Sequence, residues 1–319
     1  MTNVTVIIQN FDDEATIEEC LNSVFAQVQE GGKAGINVVV VDHGSMDESP
    51  NIVAERFPQV DLRVIPAGKG AVYGINHGIS AASGEYIMLL SSKVILASDC
   101  LSKLLECMDA DKRIFAAAPK LLRRDERRTI EALGYTLTLS GEVKKIAAGK
   151  SAAKFNKPKK IFAPSNLCAL YRRSIIGVAG GFDDSFFTYY EDADIAYRAY
   201  LCGFHGVLCP GAAAYVTRAE SDSNYEAMLS SRNRIFMYYK NMPAFWRMIN
   251  APFLSRGTAR RKRFYKKLGA GSYYSAGVRE GKKNKKRLCV NKRHKRPFLR
   301  HLKLQGRLAK NSFKSIFGR

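Results

Sequence analysis

No Cys-x-x-Cys pair occurs in the sequence: its seven cysteines (20, 100, 107, 168, 202, 209 and 289) are odd in number and never closer than seven residues. That spacing signals neither a zinc module nor a disulfide framework, and reduced, mostly buried thiols in a cytosolic setting are expected. Long apolar runs are missing too. A spanning helix needs roughly 18 uninterrupted apolar residues, and the best stretch, 86–96, is broken by Ser91, Ser92 and Lys93. The opening MTNVTVIIQN has no basic start and no cleavage-like site, so it does not read as a signal peptide. The 25 Gly and 10 Pro follow no fixed period, which excludes a collagen-like chain. With 46% hydrophobic and 25% charged residues, a mostly disordered chain is excluded as well.

Acids are nearly absent from one region. Residues 256–319 hold 23 of the 51 Lys and Arg but only Glu280 of the 29 acids, so the whole formal charge of +22 resides there and residues 1–255 are neutral. The composition divides the chain into a neutral body, 1–255, and a basic C-terminal extension, 256–319. Excess charge of this kind calls for a polyanion: nucleic acid, an anionic membrane surface, an acidic polymer or a phosphate-rich small molecule.

The body alternates strands and helices. A β-branched run at 4–8 precedes an amphipathic segment at 15–27, where Ile17, Cys20, Leu21, Val24 and Phe25 share one helical face. The continuous apolar run at 38–41 is typical of a strand buried on both faces. Helices at 48–57 and 72–82 and strands at 62–65 and 86–90 continue the pattern. Such order predicts an α/β fold with a mostly parallel sheet flanked by helices, and ligands bind beyond the carboxyl ends of its strands. Residues 9–13, 42–47, 68–70 and 91–93 are therefore the ones to inspect.

Those segments, VTVIIQNFDDEATIEECLNSVFAQ, VVVVDHGSMDES, GKGAVYGINHGISAASGEYIMLL and SSKVILASDCLSKLL, resemble in order the nucleotide-sugar half of a family 2 glycosyltransferase. YRRSIIGVAGGFDDSFFTYYEDADIAYRAYLCGFHGVLCPGAAAYV is similar to the acceptor half of its rhamnosyltransferase-like branch, and SSRNRIFMYYKN and YYSAGVREGKKN to its helical end. The resemblance runs from about residue 2 to 286. It implies a GT-A fold, with a nucleotide-sugar half at 1–110 and an acceptor half at 111–255, and an inverting transfer from a nucleotide-diphosphate sugar to a glycan or lipid-linked acceptor. Asp42 then falls where the family contacts the base or ribose; the alternative is that it only makes an Asx-turn into Gly44. Gln9, where the family usually has Pro, and Phe11 would flank the base. Glu191 and Asp192 match the family's Glu-Asp pair, the Asp commonly being the base that takes the acceptor hydroxyl's proton. Alternatively Asp192 is simply the N-cap of a helix over 193–201.

The sequence departs from this family at its metal site. The Asp-x-Asp-like element is Ser91-Ser92-Lys93, and no His stands near Val216-Thr217, where a second ligand is common. Hard divalent cations need several oxygen ligands, so no metal ligand is assigned and Mg²⁺ or Mn²⁺ lacks its ordinary site. Either Lys93 and Lys69 neutralise the leaving diphosphate, or the donor site has decayed and the chain is a pseudo-glycosyltransferase that binds a glycan or a partner. Lys93 also reads as an ordinary surface lysine at a strand end. The extension, with basic runs at 260–263, 282–287 and 292–296 and apolar residues scattered through 298–317, reads either as a solvated charge run or as a segment that docks on an anionic membrane. The second reading places the chain in the cytoplasm, peripheral to the inner face of the cell membrane. Nucleic-acid binding is the rival class, supported by charge alone, since no helix-turn-helix, zinc-finger or RRM signature appears.

Overall fold

The computed structural model describes residues 2–29, 34–218, 222–285 and 298–317. The basic run at 292–296, part of that at 282–287 and Cys289 lie outside them. In chain order the elements are β1 (Thr2–Asn10), α1 (Ile17–Gln29), β2 (Ala34–Asp42), α2 (Ser49–Arg56), β3 (Asp61–Val64), α3 (Ala71–Ala81), β4 (Tyr86–Ser91), β5 (Val94–Leu96), α4 (Cys100–Asp109), β6 (Ile114–Arg123), β7 (Ile130–Ala132), β8 (Tyr135–Leu137), β9 (Val143–Lys145), β10 (Lys159–Ile161), β11 (Cys168–Arg172), α5 (Arg173–Ala179), α6 (Glu191–Cys202), β12 (His205–Val216), α7 (Ser223–Asn241), α8 (Ala244–Lys267), α9 (Gly271–Asn284) and α10 (Phe298–Phe317).

The main sheet runs β10-β12-β6-β11-β4-β1-β2-β3. Parallel pairing carries the long ladders β3-β2-β1-β4 and β6-β12, while β11, β5, β7 and β10 join antiparallel. The apolar runs are continuous because the sheet is buried on both faces. Val4, Val6, Ile8, Val38, Val40, Met88 and Leu90 pack with α1, α2 and α4, and Ile7, Val39, Val41, Ile87 and Leu89 with α3, α5 and α6. On leaving β1 the chain moves outward through β2 and β3, then returns to the other side of β1 as β4. That reversal opens a crevice at the carboxyl ends of β1 and β4, where sheets of this kind take their ligands.

The charge boundary at 255 is not a boundary of secondary structure. It falls inside α8, which runs unbroken from Ala244 to Lys267. Beyond it, α9 lies against α7 so closely that a Cβ on Gly277 would meet the Met228 carbonyl oxygen. Helix α10 buries Leu304 and Leu308 completely, and these join the core cluster that also holds α6. Much of the basic extension is thus packed helix, because its apolar residues recur at helical spacing between the cations. No helix among the described residues is long and apolar enough to cross a membrane.

Candidate active site

The crevice is built first from the ends of β1 and β2. Asp42, the last residue of β2, is 0% exposed. Its Oδ1 accepts from the Gly44 (3.0 Å) and Ser45 (2.9 Å) amides, and its Oδ2 from Asn10 Nδ2 (2.7 Å) and the Ser45 hydroxyl (2.5 Å). In the structure Asp42 makes the Asx-turn into Gly44, and as a fully enclosed carboxylate with four donors it orders the loop after β2. Phe11, just past β1, is 53% exposed at the crevice edge. Gln9 lies deeper, where its Oε1 accepts from His43 Nε2 (2.8 Å) and its Nε2 is buried without a protein partner. A buried amide donor left over is the kind of group a ligand acceptor satisfies. Burial holds the His43 imidazole pKa below its ordinary value despite the neighbouring Asp42 carboxylate. Helix α3 must pass close by, since a Cβ on Gly74 would strike both Gln9 and His43.

The end of β4 forms the next wall. The Ser92 amide donates to the Gln9 carbonyl (3.1 Å) and the Ser91 amide to the Leu167 carbonyl (3.0 Å). Lys93 forms an ion pair with the buried Asp13, whose other oxygen accepts from the Ser92 hydroxyl. Its carbonyl receives the Thr217 amide (3.0 Å), so the strand-end lysine faces the end of β12. Lys69 is exposed in the loop before α3, with its ammonium over the Tyr73 ring. The next residue, Gly70, has φ +84° and lies under Phe187, whose ring a Cβ there would meet at 2.5 Å. That contact, with the Val72 amide donating to the Phe187 carbonyl (2.9 Å), joins the lysine loop to the acidic helix.

Strain accumulates at this junction. Phe187, Tyr189 and Tyr190 are three of the five non-glycine residues with positive φ among those described. Such backbone costs on the order of 1–3 kcal/mol per residue and persists only where its surroundings enforce it. The enforcer is Asn233, buried on α7, whose amide donates to the carbonyls of Phe186 (2.7 Å), Thr188 (2.6 Å) and Tyr189 (2.8 Å). Arg232 Nη2 adds a bond to Phe186 (3.0 Å).

Out of that loop comes α6, and its three acids have separate fates. Tyr190 is the N-cap, so the helix begins two residues earlier than expected and Asp192 lies in its first turn instead of capping it. Asp194 is held by Arg198 (2.7 Å), Lys240 (2.9 Å) and Asn241 (2.7 Å). Burial alone would push its carboxyl up, but Arg198 and Lys240 outweigh it and hold the pKa below the usual range. Glu191 and Asp192 are each 8% exposed and have no such cations. Burial pushes Glu191 above the ordinary range, and burial with the adjacent Glu191 charge pushes Asp192 well above it. Asp192 Oδ1 accepts the Ala193 amide (2.6 Å). Glu191 Oε1 accepts from Asn166 Nδ2 (3.1 Å), Asn166 Oδ1 from the Tyr171 hydroxyl (2.5 Å), and Glu191 Oε2 is buried without a protein partner. Because Leu167 bonds Ser91, residues 166–167 link the acid pair directly to the end of β4.

Asn166 and Asn233 escape sequence reasoning, and Asp13, which lies in the 9–13 stretch singled out beyond β1, receives no role there. Each acts through a partner 25 to 80 positions away, and none stands in a motif that fixes such a partner. The model of the glycosyl transferase family 2 matches residues 5–178, more than half of the chain and both walls of the crevice. The chain belongs to this family. It is a glycosyltransferase of GT-A fold. The N-acetylglucosaminyl-diphospho-decaprenol L-rhamnosyltransferase of Mycobacterium tuberculosis is 24% identical over 210 residues, which are 58% of this chain and 68% of that protein. Among solved structures, S. aureus TarS 1-349 in complex with UDP-GlcNAc superposes with a TM-score of 0.53 at 18% identity, covering 81% of this chain and 73% of that one. The mannosyltransferase PcManGT from Pyrobaculum calidifontis, in complex with GDP-Man and Mn²⁺, gives 0.53 at 17%, covering 87% and 86%.

Mn²⁺ in such a neighbour makes the metal question specific for this transferase. The residues at the end of β4 do not fit a divalent cation. A lysine occupies the position, its charge is matched by the Asp13 carboxylate, and among the described residues no group of three or more His, Cys, Asp or Glu could hold a metal ion.

Proposed function

We propose that this transferase moves a sugar from a nucleotide-diphosphate sugar to a hydroxyl of a cell-surface glycan or lipid-linked acceptor, with inversion and without a divalent cation. The observation that carries this reading is the buried pair Glu191-Asp192, with Glu191 Oε2 unpartnered at the crevice. Glu191 Oε2 accepts the acceptor's hydroxyl and orients it, and Asp192 takes its proton as the oxygen attacks the anomeric carbon. The bond from that carbon to the diphosphate oxygen breaks on the opposite face, and the diphosphate leaves with the bonding electrons. A base with a raised pKa is better matched to proton abstraction near neutral pH than an ordinary aspartate. Lys69, and Lys93 to the extent that Asp13 leaves it charge to share, stabilise the departing diphosphate as fixed cations. Phe11 and Gln9 flank the base, and Asp42 contributes by ordering the loop beside them. Its working place is the cytoplasmic face of the membrane, where a lipid-linked acceptor is met.

A panel of UDP-, GDP- and dTDP-sugars, assayed with EDTA and with Mn²⁺, tests the reading. Turnover is expected to survive the chelator, and the product anomer read by NMR is expected to be inverted; strict Mn²⁺ dependence sinks the metal-free mechanism. The Lys93–Asp13 pair favours a second reading, since a lysine already neutralised is a weak substitute for a dication: a pseudo-glycosyltransferase whose donor site has decayed and which binds a glycan or a partner. Calorimetry showing no nucleotide-sugar binding at all would favour that reading over transfer.

A further inference from the structure

Helices α8 and α10 are fastened together with their outer faces turned away from the protein. The Trp246 ring stacks on Phe298 (centroids 6.3 Å apart) and touches Phe245 (5.2 Å). One turn on, buried Asn250 donates to Gln305 Oε1 (2.8 Å). Around this junction Phe245, Met248 and Ile249 of α8 and Phe298, Leu299 and Leu302 of α10 are exposed, from 47% for Ile249 and Leu302 to 73% for Met248. Spacings of three and four residues place each helix's set on one face. The inward positions of α10, Leu304, Gln305 and Leu308, are already spent on the body. Two segments some 50 residues apart in the chain therefore build a single apolar ridge that stands exposed among the described residues.

The surroundings of the ridge select its partner. Helices α8 and α10 contain thirteen Lys and Arg and no acid, with Arg247, Arg300 and Lys303 in the turns that carry the ridge and seven more along α8 at 256–267, of which Arg260 pairs with Glu142. A second copy of the chain would bring like charges together. A nucleic acid would use the cations but gives Met248, Ile249, Leu299 and Leu302 nothing to bury against, and scattered aliphatics do not read a phosphate backbone. An anionic bilayer uses both, since apolar side chains enter the boundary of headgroups and acyl chains while Lys and Arg stay at the headgroup level. We propose that the amino-terminal turns of α8 and α10 form the face by which the transferase docks on an anionic lipid surface. This rests on the membrane placement proposed above and names the surface responsible.

Trp246 is the only tryptophan in the chain, and it lies in the ridge, so its fluorescence reports docking directly. The full chain would be titrated with vesicles of phosphatidylcholine alone and of phosphatidylcholine and phosphatidylglycerol in equal parts, following co-sedimentation and Trp246 emission. Binding with a blue shift on the mixed vesicles, roughly tenfold weaker on the neutral ones, is expected. The triple variant Met248→Ser/Leu299→Ser/Leu302→Ser alters only exposed positions and should keep the wild-type urea midpoint, lose roughly tenfold in vesicle affinity and bind nucleotide sugar unchanged by calorimetry. Wild-type vesicle affinity in the triple variant, no blue shift on mixed vesicles, or tight duplex-DNA binding with no preference for anionic vesicles overturns the proposal. Vesicle docking without any nucleotide-sugar binding keeps this face and removes the transferase reading; donor binding without docking does the reverse.

Discussion

Substituting Asp192 by Asn keeps the side chain's shape and removes its ability to ionise. As the base, Asp192 contributes on the order of 10²–10⁴-fold to transfer, and Asp192→Asn is expected to lose that much in kcat while retaining donor binding by calorimetry. The pH dependence follows from the direction of its shift. Activity needs the ionised form, so the acid limb of kcat/KM should lie above the ordinary aspartate value of about 3.9. Stability runs the opposite way. A carboxyl whose folded pKa exceeds its unfolded one binds more protons in the native state, so stability falls as pH rises above the unfolded value. Asp192→Asn should therefore melt at the same or a higher temperature at neutral pH; a large loss of stability would identify a scaffold residue instead. The Lys93–Asp13 pair has the contrary signature. Lys93→Met leaves a buried carboxylate alone and should cost about 1–3 kcal/mol in urea unfolding, and adding Asp13→Asn should recover most of it. Glu191 and Asp192 stand out in the sequence as an adjacent acid pair. Their partner Asn166 does not, and Asp13 stands out only as one of the residues beyond β1, because only the folded loops bring Asn166 to Glu191 and Asp13 to Lys93.

Helix α7 acts on the site without touching it. Asn233 replaces the hydrogen bonds that the carbonyls of Phe186, Thr188 and Tyr189 lose by following a strained path. Asn233→Ala orphans buried carbonyls and should cost about 2–4 kcal/mol. Because that loop aims Glu191 and Asp192, kcat should fall more than nucleotide-sugar affinity, and an equal loss in both would point to general unfolding. The parallel strands were readable from continuous apolar runs and α1 from its periodicity; α1, α2 and α3 end within two residues of the expected bounds, whereas β2 begins four residues before the run at 38–41. The strained loop was not: positive φ is ordinarily announced by Gly or Asn, and here Phe187, Tyr189 and Tyr190 adopt it under tertiary constraint. At Asp42 the sequence offered a turn and a ligand contact alike: a strand-end aspartate before Gly-Ser looks the same in both, and the structure shows the turn being made.

At the scale of the whole molecule, charge and packing follow different partitions. Composition divides the chain at 255, because cations without acids are visible to counting, whereas the packed unit continues through α10, because burial depends on which apolar residues share a face. The distinction has a measurable consequence. Asn311 donates to the Leu137 carbonyl (2.9 Å) and the Ser312 hydroxyl accepts from the Leu139 amide (2.9 Å), so α10 braces the turn between β8 and β9. That hairpin presents the Val143 amide to the Tyr190 hydroxyl (3.5 Å), at the cap of the acidic helix. Deleting residues 298–319 also uncovers what Leu304 and Leu308 bury, worth about 1.5–3 kcal/mol for each side chain. The truncated chain should therefore unfold at distinctly lower urea and lose kcat even with a soluble acceptor, where no membrane is needed. A detached basic tail would behave otherwise: deletion would leave the urea midpoint and soluble-acceptor turnover untouched and abolish only vesicle binding.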